Sequence, residues 1–286
     1  MSQTDYLQRF LFEHHAIRGE LVFLRDVFQT ITTQRDYPPE VKTLLGHAIA
    51  ATALLSATIK YNGSLILQAQ TTGPVNLLVT QCDQNLNMRA LAKWQDDAHF
   101  AHRILGDGQM VITISPDNTT ERYQGVINLS SDRLNENLES YFERSEQLPT
   151  RLWLAANQNQ AVGLLIQKMP SLNQGEQAAG TEWEYWEHLH ILANTITETE
   201  LLSLDAMNIL HRLFHEEDIR LYEEEPVTFK CKCDKHKMIQ ALKTMSEAEI
   251  RDILRTHHVV EITCDFCNNH YAFNTQDVDE IFSGGI

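Results

Sequence analysis

The sequence has little positive charge and no long hydrophobic run. Its 286 residues contain 23 Lys and Arg against 39 Asp and Glu, which gives a formal net charge of −16 at pH 7. A field of this sign repels phosphate backbones, so a nucleic-acid-binding protein is disfavoured. The longest apolar run, 48–59, is interrupted by Thr52, Ser56 and Thr58. It is shorter than the roughly 20 residues that cross a bilayer, and we expect no membrane association.

Signals for export and for common enzyme classes are also missing. The first residues, MSQTDYLQRF, show no basic region followed by an apolar stretch and a cleavage site, which predicts a cytosolic protein. No GxSxG or Walker motif occurs. His211 and His215 share a predicted helix face, but the glutamate of an HExxH metalloprotease motif is absent between them. We therefore predict that the protein is not an enzyme.

Hydrophobic periodicity predicts an α+β fold. Residues 1–178 are expected to form an amino-terminal core domain with a largely antiparallel sheet and packed helices. A buried helical stripe begins after Pro38 and ends near Ile59, and beyond Asn62 apolar residues recur at every second position. This period of two, with turn signals between short runs, is typical of antiparallel strands. A further helix is predicted over Tyr6–Gln29.

The composition changes near residue 178, because Ser171–Thr181 holds almost no large apolar side chain. Residues 179–225 are predicted to form a metastable helical linker, in which an amphipathic helix precedes six acidic residues within 216–225. Residues 226–286 are predicted to form a small carboxy-terminal α+β domain. The chain is thus expected to comprise three segments of different stability.

Four of the five cysteines lie near the carboxy terminus. They form a CxC and a CxxC motif separated by 30 residues: Cys231, Cys233, Cys264 and Cys267. Strand-like residues precede each motif, and a helix with Ser246 as N-cap and Glu249 at its third position is predicted between them. Two strand ends of this kind can present four thiolates to one ion. Zn²⁺ prefers such a tetrahedral sulfur site, with Zn–S distances of about 2.3 Å. We predict one zinc ion per chain in the reduced state.

A site with four thiolates has no open coordination position, so the predicted zinc is structural or redox-active rather than hydrolytic. Nearby histidines are alternative ligands: His236, His257, His258 and His270. Neighbouring lysines are expected to offset the thiolate charge and lower the thiol pKa values: Lys230, Lys232, Lys235 and Lys237. The fifth cysteine, Cys82, follows an apolar strand and is predicted to be a buried side chain rather than a nucleophile.

Metal binding is expected to control the folding of the carboxy-terminal domain. About sixty residues rarely bury enough apolar surface to fold alone, whereas structural zinc contributes roughly 10–16 kcal/mol of apparent binding free energy. Loss of the ion should therefore unfold residues 226–286. Peroxide attacks thiolates, and oxidised sulfur no longer binds zinc, so the site is expected to respond to oxidants. On these residues alone, a purely structural zinc clip remains an alternative.

The cysteine motifs in VTFKCKCDKHK and VEITCDFCNNHYAF resemble the zinc-binding tail of the redox-regulated heat-shock protein 33 chaperones. Upstream segments resemble that family in the same order, so the resemblance extends over nearly the whole chain: YPPEVKTLLGHAIAATALLSATIK, LQAQTTGPVNLLV, YQGVINL, YFERSEQLPTRLWLA and LHRLFHEEDIRLYEEEPV. Ala90 and Val162 stand where the family often has glycine, and neither belongs to the cysteine motifs.

This resemblance implies an ATP-independent holdase of the bacterial cytosol that is inactive while the four cysteines bind zinc. In the family, oxidation pairs neighbouring cysteines, which here implies the disulfides Cys231–Cys233 and Cys264–Cys267. Zinc then leaves, the carboxy-terminal region and the linker unfold, and apolar surface becomes available to unfolding client proteins. Active members of the family form homodimers. The resemblance assigns no client-binding residues.

Two other functions match isolated features of the chain. A zinc-ribbon module that contacts nucleic acid would use the basic stretch Lys230–Lys237 and Tyr271, but the acidic charge of the whole molecule disfavours it. A thiol oxidoreductase would use Cys264 and Cys267. Its CxxC should open a helix in a βαβ unit, whereas here Asn268 and strand-like residues follow.

Overall fold

A long helix, Pro39–Thr58, packs between two six-stranded sheets in the computed structural model of the chain. The structure describes residues 5–59, 62–95, 100, 103–117, 121–170 and 176–283, with side chains of the last range from residue 180 onward. Residues 171–175, part of the predicted composition boundary, lie outside these ranges. The chain divides into two compact units, Met1–Phe229 and Lys230–Ile286.

The described strands and helices of the first unit are these. The strands are β1 (Tyr6–Phe12), β2 (Ile17–Leu24), β3 (Gly63–Thr71), β4 (Val75–Asp83), β5 (Asn87–Trp94), β6 (Gly108–Pro116), β7 (Tyr123–Asn128), β8 (Thr150–Ala156), β9 (Ala161–Lys168), β10 (Ile219–Leu221), β11 (Glu225–Pro226) and β12 (Thr228–Phe229). The helices are α1 (Asp26–Thr32), α2 (Pro39–Thr58), α3 (Leu134–Tyr141) with a π-helical turn at Phe142–Glu146, α4 (Glu176–Ala193), α5 (Glu198–Ser203) and α6 (Ala206–Phe214).

The two sheets of the first unit are almost entirely antiparallel. The first has the order β10-β1-β2-β9-β8, and β11 also pairs with β1. The second has the order β12-β5-β4-β3-β6-β7, in which the β12–β5 pair is parallel. Successive side chains of a strand point to opposite faces of the sheet, so a strand covered on one face shows the alternating apolar pattern. The predicted α+β fold with a largely antiparallel sheet is confirmed.

Helix α2 forms the centre of the main core. Among the described helices it is the one long and apolar enough to cross a bilayer by length and composition alone, and most of it is buried inside the protein. It contacts strands of both sheets and begins at Pro39, a residue suited to the first helical turn. Burial on both sides explains why its apolar residues cover most of its circumference. We therefore assign it as a core helix.

The predicted helix over Tyr6–Gln29 is wrong. The segment forms the hairpin β1–β2 followed by the short helix α1. The turn contains neither glycine nor proline, and His14 adopts the left-handed conformation with φ of 68°. Strand β2 is buried on both faces, so its second half, 21–24, is a continuous apolar run without alternation. A run of this kind has no period that separates a strand from a buried helix.

The segment that was predicted as a linker, 179–225, lies within the first unit. Its helices cover one face of the first sheet and bury a second apolar cluster. From the sheet, the cluster includes Phe10, Phe12, Ile17 and Leu21; from the segment, it includes Trp186, Leu189, Ile209, Leu213 and Phe214. The metastable character of this segment and its boundaries at residues 178 and 225 remain predictions.

The second unit is a small α+β fold. It contains α7 (Lys235–Leu242), α8 (Glu247–His257), the hairpin β13 (Val260–Thr263) and β14 (His270–Phe273), and α9 (Thr275–Phe282). The capping box predicted for α8 is confirmed, because Ser246 and Glu249 exchange side-chain and backbone hydrogen bonds. Up to residue 283, where the described part of this unit ends, the apolar core contains eight buried residues: Ile239, Leu242, Ile250, Leu254, Val260, Phe273, Val278 and Ile281.

Candidate metal centre

Two turns place the four cysteines of the second unit. Cys231 and Cys233 lie in the extended segment that ends at Asp234, the N-cap of α7. Cys264 and Cys267 lie in the turn between β13 and β14. This turn is closed by two backbone hydrogen bonds, from the Cys264 amide to the Asn269 carbonyl and from the Asn268 amide to the Cys264 carbonyl, both 2.9 Å. Asn268 has a left-handed φ of 56°, which asparagine tolerates well.

The four thiols converge as the sequence predicted. The Sγ atoms of Cys231 and Cys264 are 3.7 Å apart, those of Cys233 and Cys267 are 3.3 Å apart, and all four lie within 4.8 Å of one another. Tetrahedral sulfur ligands at about 2.3 Å from a zinc ion are about 3.8 Å from each other. All four cysteines are free thiols, Cys264 buried and the others half-buried. The donor set therefore fits one thiophilic divalent ion.

The thiols of this cluster differ in acidity. Burial raises the pKa of Cys231 and of Cys267. Burial acts in the same direction on Cys233, but hydrogen bonds from Tyr271 and from the other three thiols outweigh it and lower its pKa to about 7. Cys233 is therefore more readily ionised than Cys231 or Cys267, and a bound cation would replace the protons of those two thiols.

Tyr271 is a member of the site that the cysteine spacing did not identify. Its hydroxyl donates a 3.2 Å hydrogen bond to Sγ of Cys233. It comes from β14, where it lies opposite Ile262 of β13, two residues before Cys264. The register of the β13–β14 hairpin brings the ring to the thiols. The alternating pattern HYAF predicted a strand here, but only the pairing register shows which side chain reaches Cys233.

Two of the neighbouring lysines and one histidine pair with groups other than the thiols. Lys235 pairs with Asp277 at 2.8 Å, and Lys237 lies 3.7 Å from Asp234, so neither ammonium group is held by the thiols. His270 hydrogen-bonds to Thr263 at 2.9 Å. Within the described residues, the cluster of metal-ligating groups contains the four cysteines and no histidine.

Cys82 lies in the first unit and takes no part in this cluster. Its side chain is fully buried on β4, as the sequence predicted, and it belongs to the main core. Burial raises its pKa to about 12. A thiol of this acidity carries negligible thiolate at neutral pH, and thiolate is the species that oxidants attack.

Comparison with known proteins agrees with this architecture. The family model described as Hsp33 protein matches residues 5–274. The chain belongs to the Hsp33 family. A relative named 33 kDa chaperonin from Nitrosococcus oceani is 43% identical over 285 residues, covering 99% of this chain and 96% of the relative. One of the same name from Methylobacillus flagellatus is 40% identical, with 100% and 97% coverage.

A solved structure extends the comparison to the fold. The crystal structure of a 33 kDa chaperonin, a heat shock protein 33 homologue from Thermotoga maritima, superposes with a TM-score of 0.82. The match covers 98% of each chain at 19% identity. The predicted membership of the Hsp33 family is confirmed, and a chaperone function follows from it. The names of the relatives are consistent with a protein that is not an enzyme.

Proposed function

We propose that this Hsp33 protein is a redox-regulated, ATP-independent holdase of the cytosol that binds unfolding client proteins. Zinc, held by Cys231, Cys233, Cys264 and Cys267, keeps the second unit folded in the reduced state. The observation that carries this proposal is the convergence of four thiols in a unit whose described residues bury a core of eight apolar side chains. Such a core is too small to hold the unit together without the metal.

Oxidation removes the donor set by ordinary thiol chemistry. A thiolate attacks peroxide and becomes a sulfenic acid with loss of hydroxide; its neighbour then attacks that sulfur and releases a second hydroxide. Two electrons pass from each pair of sulfurs to one peroxide. The proposed pairs, Cys231–Cys233 and Cys264–Cys267, are those that the resemblance to the Hsp33 family implies. A disulfide sulfur no longer serves as a thiolate ligand, so zinc is released and the second unit unfolds.

Unfolding is then transmitted along the chain to the helices of 179–225. This segment contacts the sheet through Phe214, whose ring packs edge-on to Phe12 with centroids 5.1 Å apart. Its fully buried Trp186 belongs to the same cluster. When the helices of 179–225 leave the sheet, the apolar face formed by Phe10, Phe12, Ile17 and Leu21 becomes exposed. A large exposed apolar patch of this kind binds other proteins, and the active form is proposed to be a homodimer.

The proposal is tested by measuring zinc content and suppression of client aggregation in parallel, before and after peroxide. We expect one zinc per chain and no holdase activity in the reduced protein. After oxidation we expect the zinc to be lost and holdase activity to appear. Cys82→Ser serves as the control and should behave as the unmodified protein. Zinc retained together with full activity contradicts the switch. Zinc retained after peroxide without activity would favour the structural zinc clip.

A further inference from the structure

Strand β1 is covered along its outer edge by two very short strands of its own chain. β10 has three residues and β11 has two, and both run antiparallel to β1. The pairing places Leu221 opposite Phe10 and Glu225 opposite Leu7. We define the edge cover as residues 218–227. If it left, β1 would become the open edge of the first sheet.

The hydrogen bonds identify which backbone groups the edge cover occupies. The Tyr222 amide donates to the Arg9 carbonyl at 3.0 Å, and the Glu13 amide donates to the Asp218 carbonyl at 2.8 Å. At the other end, the Val227 amide donates to the Asp5 carbonyl at 3.1 Å. In an antiparallel strand, the amide and the carbonyl of one residue point to the same side. The backbone groups of the odd-numbered residues of β1 therefore point to the edge cover, and those of the even-numbered residues point to β2.

Several features weaken the pairing of residues 218–226 with β1, whereas Val227 is buried in the main core. Pairing is broken between β10 and β11, where the Gln8 side chain bonds to the Tyr222 carbonyl in place of a backbone group. Six acidic residues lie within 216–225 and repel one another. Two partly exposed ion pairs assist the docking, Arg9 with Glu225 and Arg220 with Glu13, and solvent screening limits what each contributes. Strands of two and three residues hold few ladder bonds of their own.

The same stretch of chain also covers the apolar face of β1. Helix α6 ends at Phe214, which packs on Phe10 and Phe12, and β10 begins five residues later at Ile219. Detachment of residues 206–227 would therefore free a row of backbone groups and the adjacent apolar side chains together. An extended chain that adds to a sheet edge is bound through its backbone, which makes such binding tolerant of sequence.

We propose that the outer edge of β1 is a binding site for extended segments of unfolding proteins, which add as an antiparallel strand where the edge cover lies in the reduced state. The edge cover shows the form of the occupant, because it already fills the site as an extended antiparallel chain. The inference rests on the proposed function, since the cover must leave on oxidation. It adds a backbone-directed site to the apolar surface.

Residue-resolved amide hydrogen exchange tests the proposal on the full-length protein. The probe is reduced, carboxymethylated α-lactalbumin, which stays unfolded, and peroxide supplies the oxidation. In the oxidised protein alone, the amides of Arg9, Leu11 and Glu13 should exchange fast, while those of Gln8 and Phe10 stay protected by β2. Added probe should protect the odd-numbered amides by about tenfold or more, as expected of new hydrogen bonds.

Each other outcome contradicts the edge site. Odd-numbered amides that stay fast with the probe bound place the client elsewhere. If the odd-numbered amides are already protected before the probe is added, the edge cover has not left. If that protection rises with protein concentration, a second copy of the chain occupies the edge. Aggregation suppression measured on the same sample separates the two proposals. If it is absent, the holdase proposal fails; if it is present without protection of the edge, only this inference fails.

A substitution pair provides a second test. Leu11→Pro removes an amide that faces the cover, at an edge position where proline is tolerated, and Leu11→Ala removes the side chain but keeps the amide. In the oxidised state, Leu11→Pro should bind the probe about tenfold more weakly than Leu11→Ala. If Leu11→Pro acted only by loosening the edge cover, it would instead bind the probe more strongly than Leu11→Ala. Equal affinity of the two variants would overturn the proposal.

Discussion

The hydroxyl of Tyr271 donates a 3.2 Å hydrogen bond to Sγ of Cys233. The bond raises the pKa of the tyrosine to about 12, so the hydroxyl stays protonated and keeps its role as donor at neutral pH. Hydrogen bonds from groups around a metal site stabilise thiolate ligands and fix their orientation. Tyr271 therefore supports the cluster through its hydrogen bond to Cys233 and is not itself one of the metal-ligating groups.

Tyr271→Phe should weaken zinc binding without unfolding the zinc-loaded protein. Loss of a partner of this kind costs about 10–100-fold in metal affinity. Competition with a chromogenic chelator measures the affinity, and a one-dimensional proton spectrum checks the fold. Tyr222→Phe, which removes the same atom from an exposed tyrosine of the first unit, is the control and should leave the affinity unchanged. Equal zinc affinity in Tyr271→Phe and the unmodified protein would show that the hydrogen bond contributes nothing.

Removal of zinc by a chelator under reducing conditions should unfold the second unit. The eight buried apolar residues of its core contribute too little to offset the conformational entropy of the unit. Limited proteolysis should then cut within Lys230–Ile286 and spare β1–β9 of the first unit, whose core is far larger. Re-addition of zinc should restore resistance. A metal-free second unit that resists the protease would contradict the central role of the metal in folding.

Phe214→Ala should release part of the holdase activity from the reduced protein. Phe214 is 2% exposed and packs against Phe10 and Phe12, so its truncation costs about 3 kcal/mol of the docking of α6 on the sheet. Met207→Ala on the same helix is the control, because Met207 is 62% exposed. Aggregation assays on the reduced variants, with amide exchange over 206–214, measure both effects. Faster exchange without any gain in activity would separate helix release from client binding.

The cysteine site was predictable from the sequence because its motifs are local. A CxC and a CxxC at strand ends have few arrangements other than convergence, and the Ser246 capping box marks the helix between them. The contribution of Tyr271 was not predictable, because it depends on the register of β13 with β14. Pairing register is set by turn geometry and packing, which no short motif records.

The fold of the first unit was predictable where one face of a strand is covered. The alternation beyond Asn62 indicated antiparallel strands, which the structure shows as β3, β4, β6 and β7, and the helical stripe after Pro38 indicated α2. The hairpin β1–β2 was not, because 179–225 covers the face that would otherwise be polar, and β2 loses its alternation. Its turn at His14 also lacks the usual glycine. An error of this kind follows from tertiary packing overriding the local pattern.

Glu20 is a buried carboxyl group in the first sheet. It is 1% exposed on β2, opposite Arg9 of β1, and its Oε2 has no hydrogen-bond partner among the described residues. Burial raises the pKa of Glu20 to about 8, although the charges of Arg18 and Arg9 act in the opposite direction. At neutral pH the folded protein therefore holds this carboxyl largely protonated.

Glu20 should make the protein less stable as the pH rises. Between its ordinary pKa of 4.5 and the raised value of about 8, the folded state binds a proton that the unfolded chain has lost. The stabilisation is complete below the lower value and is lost as the pH rises through this window, by up to about 1.4 kcal/mol per pH unit.

Glu20→Gln should remove this dependence, because the amide stays neutral at every pH. At pH 7.5 we expect the free energy of unfolding of the first unit to rise by up to roughly 4 kcal/mol, because folded Glu20 must take up a proton that the unfolded chain has lost, whereas Gln takes up none. Denaturant titrations from pH 5 to 8.5 measure the slope. Glu184→Gln, which changes an exposed carboxylate, is the control and should keep the slope of the unmodified protein. A Glu20→Gln variant with that same slope would show that Glu20 is already ionised in the folded state.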